Sequence, residues 1–188
     1  MALWGTSDSD ESKPKNLTTT EKKEVFATAS GWVREAGSAF SGNGNTDADP
    51  EVLVAVSGLA VSLGAADITG IEFITTAFDK SDGGTLQVRV RFNEAVDVTG
   101  TPQLTVVNDT NANHTLSYAS GTGSNKLLFS LTIAANNAAT DADDVLSIGT
   151  NAMALNGGTV KDKGTSTVST ITNAASIGTD AGTITVTA

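Results

Sequence analysis

The chain has no cysteine, which removes disulfides, thiolate nucleophiles and cysteine-based zinc sites together. Aromatic residues make up only 5% of it, with Tyr118 the single tyrosine and His114 the single histidine. So few rings argue against a sugar-stacking platform. A Ser/His/Asp triad would have to use His114, inside Asn111-Ala112-Asn113-His114-Thr115, and Ser, Thr and Asp are too common here to make that informative. The sequence therefore predicts no enzyme, and His114 reads as a solvent-facing loop or strand residue. Positive charge is also scarce, 11 Lys and Arg against 21 Asp and Glu for a net charge of −10. Phosphate backbones would be repelled, which excludes nucleic acid as a partner. No apolar run is long enough to span a bilayer, so no membrane partner is expected. The first residues lack a basic stretch followed by an apolar one, and the expectation is a chain made and kept in a cytoplasm or released by lysis.

What is abundant is Gly, Thr, Ala, Ser and Asn, a composition that suits short strands and tight turns better than packed helices. The stretch Arg89 to Thr105 shows the grammar. Arg89, Arg91 and Asn93 alternate with Val88, Val90 and Phe92, the period-two mark of a half-buried strand with one apolar and one polar face. Glu94 to Gly100 breaks that alternation, Gly100-Thr101-Pro102 makes a turn, and Gln103 opens a second apolar run.

Taken from the front, Met1 to Asn16 is a polar arm with Trp4 as its one large apolar anchor. Thr18-x-x-Glu21 has capping-box spacing and predicts a short helix from Thr19 to Ala29 that carries Val25, Phe26 and Ala29 on one side. Gly31 to Arg34 and Glu51 to Val56 read as a hairpin around the flexible turn Ser41 to Asn45. Arm, helix and hairpin are too little to bury an independent core, so this part needs a partner surface. Trp4 and Trp32 are its expected anchors, since an indole supplies large apolar area and a donor; for Trp32 the equal alternative is that it covers the hairpin's own small core.

A hinge over Gly64 to Gly70 places the boundary near Asp67. Strands are then expected at Ile71–Thr75, Thr85–Phe92, Gln103–Val107, Thr115–Ala119, Lys126–Ile133, Val145–Ile148, Met153–Leu155 and Thr183–Thr187, with a weaker candidate at Thr167–Ile171. The predicted fold is mainly β: an N-terminal extended arm with a short helix and β-hairpin over residues 1–66, followed by an Ig-like β-sandwich over residues 67–188. Asp47, Asp49 and Glu51, and Asp141, Asp143 and Asp144, cluster without EF-hand spacing and read as solvated acidic turns. Gly42-Asn43-Gly44 lacks the strand-to-helix context of a phosphate loop, and no metal or cofactor is predicted.

Two sets of motifs carry resemblances. Phe92-Asn93-Glu94-Ala95-Val96, Val98-Thr99-Gly100-Thr101-Pro102, Tyr118-Ala119-Ser120-Gly121-Thr122-Gly123 and Leu155-Asn156-Gly157-Gly158-Thr159-Val160-Lys161-Asp162 resemble the bacterial Ig-like repeats of long cyanobacterial and marine surface proteins. Trp4-Gly5, Lys13-Pro14-Lys15, Leu17, Glu21-Lys22-Lys23 with Val25-Phe26, Gly31-Trp32-Val33 and Glu51-Val52-Leu53-Val54-Ala55 resemble the N-terminal region of virion structural proteins of tailed phages that infect cyanobacteria and other marine bacteria. Together they imply a non-enzymatic virion protein, assembled in the host cytoplasm and carried on the capsid surface. In that role it would be a decoration protein bound to the major capsid protein or another virion protein, as lattice-bound copies or a homo-oligomer. Trp4, Leu17, Phe26, Trp32, Val52 and Val54 would then contact the partner. The same features leave open a neck, tail or baseplate position, and a host-surface adhesion or carbohydrate-binding module with weak host-surface contact.

Overall fold

The computed structural model describes residues 14–188; Trp4 and most of the arm lie outside the described residues. A single helical turn, α1 (Thr19–Lys22), comes first. Its capping box forms: Glu21 N–H donates to the Thr18 hydroxyl at 3.2 Å and Thr18 N–H donates to the Glu21 carboxylate at 2.9 Å. The helix expected to reach Ala29 stops there, and Val25–Thr28 is instead the strand β1. The reason is tertiary. A short helix has little stability of its own, whereas antiparallel pairing of β1 with β2 (Gly31–Arg34) turns Val25 and Ala27 inward.

Strand β3 (Glu51–Ala55) pairs antiparallel with the other edge of β2, with a register shift between Trp32 and Val33. Gly31 makes this possible. Its φ is +127°, and a Cβ there would lie 2.1 Å from the Val54 carbonyl oxygen. Behind these strands Val25, Ala27, Trp32, Leu59 and Leu63 form a small core, with Leu17, Leu53, Val54, Val56 and Ala60 packed against it. The segment expected to lack a core thus has a modest one.

The rest of the chain is β4 (Ile68–Phe73), β5 (Phe78–Asp79), β6 (Gly84–Thr99), β7 (Gln103–Asn108), β8 (His114–Ser120), β9 (Ser124–Ile133), β10 (Val145–Ser147), β11 (Met153–Ala154), β12 (Thr159–Asp162), α2 (Ala175–Asp180) and β13 (Ile184–Thr187). The protein is mainly β. Strands β5 and β12 and helix α2 have no counterpart in the sequence-based expectation. The weak strand at Thr167–Ile171 is reduced to isolated bridges, Val168 with Lys161 and Thr170 with Asp67. Among the described residues no helix is long and apolar enough to cross a membrane.

Strand order runs β3-β2-β1-β6-β9-β8-β7-β10-β13-β5, with β4 and β12 added to β6 and β11 to β7. The path curls so that its far end returns: Phe78 of β5 lies against Gly84 at the start of β6. One core fills the space between, including Phe92, Leu104, Leu116, Leu127, Phe129, Leu146, Ile184 and Val186, all at most 3% exposed. This arrangement is a β-sandwich. Leu63 belongs to the small core and Ala66 to the large one.

Strand β6 organises both. Its first half lies between β4 and β9, and its second half pairs with β12 from Val96 to Thr99. The expected break after Phe92 is therefore a continuation with irregular register between Arg91 and Val96. At Ala27↔Glu94 the same strand takes β1 as a parallel neighbour. Its supposedly solvated face is accordingly covered, and Arg91 and Asn93 are each only 7% exposed.

Candidate functional site

Of the six residues expected to meet a partner, four keep some exposure, one is buried and one lies outside the described residues. Trp32 is fully buried in the small core and presents nothing outward, because β1, β3 and the turn at Leu59 close over it. Leu17, Phe26 and Val54 are half-buried, and Val52 on β3 is 51% exposed. Trp4 lies outside the described residues. Sequence reasoning missed Phe40, which is 44% exposed in the loop between β2 and β3. It also missed Val61, 60% exposed after Leu59. An isolated apolar residue in a glycine-rich loop is ordinarily unremarkable, so no pattern marked either one.

The loop carrying Phe40 is anchored. Arg34 Nη1 donates to the Phe40 carbonyl at 3.0 Å and reaches Glu51 Oε2 at 3.5 Å, while its Nη2 lies 3.6 Å from Glu21 Oε1. The Ser38 hydroxyl donates to the Glu24 carboxylate. Hydrogen bonds from the Thr18 backbone and hydroxyl hold the Glu21 carboxyl below its ordinary pKa, and Arg34 adds to the effect. The outer end of this unit is therefore shaped by its own ion pairs before any partner arrives.

Beneath it lies an ionic seam with the sandwich. Arg91 of β6 donates through Nη1 to Glu35 at 2.5 Å and through Nη2 to Glu72 of β4 at 2.9 Å. Arg89 joins Glu72 at 3.0 Å, and the Lys126 ammonium of β9 pairs with the other oxygen of Glu35. Burial pushes the Lys126 pKa down, against the pull of Glu24. Asn93 closes the row: its N–H donates to the Asp67 carbonyl at 3.0 Å and its Oδ1 accepts from Asp67 N–H at 2.8 Å. On the polar side of the Arg89 to Asn93 alternation, Arg91 thus meets the N-terminal unit through Glu35, while the bonds of Arg89 to Glu72 and of Asn93 to Asp67 stay within the sandwich.

Two other sequence candidates resolve into structural roles. His114 opens β8 and is buried, a correction to its expected solvent-facing place, with Nε2 at 3.2 Å from the Thr140 hydroxyl. Burial lowers its pKa, partly offset by Asp144. Of the acidic turn Asp141 to Asp144, Asp144 is buried rather than solvated. Burial pushes its pKa up, but donors from Asp141 N–H, Thr110, Asn108 and Asn111 outweigh that and hold it well below the usual carboxylate range. Asn108 Nδ2 donates to it at 2.7 Å and Asp141 N–H at 2.8 Å. These bonds tie the β7–β8 loop to the β9–β10 loop. Among the described residues no group of three His, Asp or Glu side chains could hold a metal ion.

No protein-family model matches the chain, and comparison with curated proteins and with solved structures gives no match.

Proposed function

We propose that this chain is a non-enzymatic structural protein of a virus particle, a capsid decoration protein of a tailed phage. In this reading the N-terminal unit holds the head lattice and the sandwich, an Ig-like module, faces outward. The observation that supports it is the placement of exposed apolar area. Among the described residues, Phe40, Val52 and Val61 sit on the N-terminal unit, and the remaining exposed large apolar residue, Val168, is the sandwich's single example. The smaller part of the described chain thus carries most of the surface that gains from being covered. Those residues also lie in or beside the stretch that resembles phage virion proteins.

Val52 stands on β3, the outermost strand of the order among the described residues. A partner strand or loop laid there would cover Val52 and Phe40 while leaving the strongly packed sandwich untouched. The residues that bind would be Val52, Phe40 and the half-buried Leu17, Phe26 and Val54, with Trp32 supporting them from behind.

Counting copies in purified particles tests the position. Hundreds per particle fit a head lattice, a handful fit a neck, tail or baseplate ring, and none contradicts the proposal. Rebinding to particles stripped of the protein tests the surface: a Val52→Asp, Phe40→Asp double variant should lose at least about tenfold in occupancy, with an unchanged sandwich melting temperature. Undiminished binding of that variant would contradict the assignment of the N-terminal unit.

A further inference from the structure

Glu94 breaks the inward row of β6. Leu86, Val88, Val90 and Phe92 precede it and Val96 follows, all apolar and fully buried, and Glu94 is fully buried with them. Neither of its carboxyl oxygens receives a hydrogen bond from a nitrogen or hydroxyl donor, and Asp162 Oδ2 on β12 is in the same condition. The other Asp162 oxygen accepts from Thr165 N–H.

Among the described residues, the groups around the pair supply no neutralising charge. The Asp162 carboxyl lies at hydrogen-bonding range from Glu94, and Asp67, just before β4, adds a further negative charge. On β6 itself Arg91 is committed to Glu35 and Glu72, and from β9 Lys126 is committed to Glu35. Strand β1 brings uncharged Ala27 opposite Glu94. Beside Asp162, Lys161 is exposed and the Lys163 ammonium donates to the Gly123 carbonyl at 3.2 Å. Two carboxylates this close, shut away from water, cannot both remain ionised. Burial, repulsion from Asp162, the hydrogen bond with it and repulsion from Asp67 together push the Glu94 pKa up to about 9.

We propose that Glu94 and Asp162 share one proton in the folded chain, the Glu94 O–H donating to the Asp162 carboxylate, and that this bond is a pH-sensitive latch at the junction of the N-terminal unit and the sandwich. The junction is built on neighbouring atoms. Ala27 of β1 crosses it in register with Glu94, and on the sandwich side Asn93 and Asp67 exchange two bonds and Lys163 N–H donates to the Ala95 carbonyl at 2.9 Å. Losing the proton places two unpaired charges in the core under β1. An unfolded glutamate gives up its proton near 4.5, whereas the folded one keeps it to about 9. Between those values the folded state holds one extra proton, so its stability falls as pH rises through the window and levels off above it.

The test is urea unfolding of the full chain across that window, for wild type and Glu94→Gln. The ratio of variant to wild-type folding constants should grow by about tenfold per pH unit. A ratio that stays constant with pH overturns the proposal. Carboxyl-carbon NMR of the wild-type chain reads the same proton without a substitution: the Glu94 signal should titrate near 9, and titration near 4.5 overturns it. Calcium chloride added at neutral pH should leave the wild-type melting temperature unchanged relative to Glu94→Gln. A calcium-dependent rise confined to wild type would show that the pair holds a cation instead of a proton, and would equally overturn it.

Discussion

The two parts of this chain hold their strands together differently. In the sandwich, the strands bury one continuous apolar core in which Phe129 meets Tyr118 edge-on, ring centres 6.1 Å apart. Among the described residues the small core of the N-terminal unit holds Val25, Ala27, Trp32, Leu59 and Leu63, and the unit rests on the sandwich through the pairing of Glu35 with Arg91 and Lys126. One part is stabilised by apolar area, the other by a small apolar cluster plus an ionic seam. The difference teaches that a polar strand face is not a solvated one. Arg91 and Asn93 are as enclosed as many core residues, because Glu35 and Glu72 meet the one and Asp67 the other.

Four substitutions probe that contrast. The largest effect belongs to Phe129→Ala, which empties the centre of the sandwich and should cost about 3–5 kcal/mol in urea unfolding. Both parts should be lost together, since the N-terminal unit has no docking face without β6. Trp32→Ala removes a comparable volume and should cost about 3 kcal/mol, but hydrogen exchange should show the loss confined to β1, β2 and β3 while β9 stays protected. If β9 loses protection equally, the two parts are one cooperative unit and the contrast fails.

Glu35→Ala comes next. It strands the Arg91 and Lys126 charges against a half-built seam and should cost about 1–3 kcal/mol. The loss should depend only weakly on salt, because the Arg91–Glu35 pair is nearly enclosed. The smallest effect concerns His114. Its pKa is lowered by burial, so the unfolded chain takes up a proton first as pH falls below 6.5, and stability declines with falling pH there. His114→Gln should flatten that decline in melting temperature while leaving the N-terminal unit unaffected. A decline unchanged in the variant would assign it to other groups.

Much of the sandwich was legible because alternation survives wherever one strand face is buried and the other is not. Leu127, Phe129 and the rows of β7 and β8 follow that rule. Legibility failed where contacts distant in sequence decided the outcome. Val25 to Thr28 fits a helix continuing from the Thr18 capping box, and only pairing with β2 and β6 makes it a strand. Strand β5 is two residues long and exists because β13 lies beside it, so no local pattern could announce it. Helix α2 contains Gly178 and lacks a side-chain cap, which hides it from capping rules. Glu94 could have been found: extending the even-numbered row from Leu86 to Val96 places a carboxyl in the core, which the expected corner obscured. The site was less legible than the fold. The sequence points to Val52, but Phe40 carries no periodic signal, and of the two readings of Trp32, partner anchor or cover for the hairpin's own core, the structure has the second.

The most direct test is hydrogen exchange by mass spectrometry on the full chain, free and bound to particles. Binding should slow exchange in Glu51–Ala55 and in the loop around Phe40, while β9 (Ser124–Ile133) exchanges as in the free chain. Protection appearing on the sandwich strands, with the Phe40 and Val52 peptides unchanged, would contradict the account.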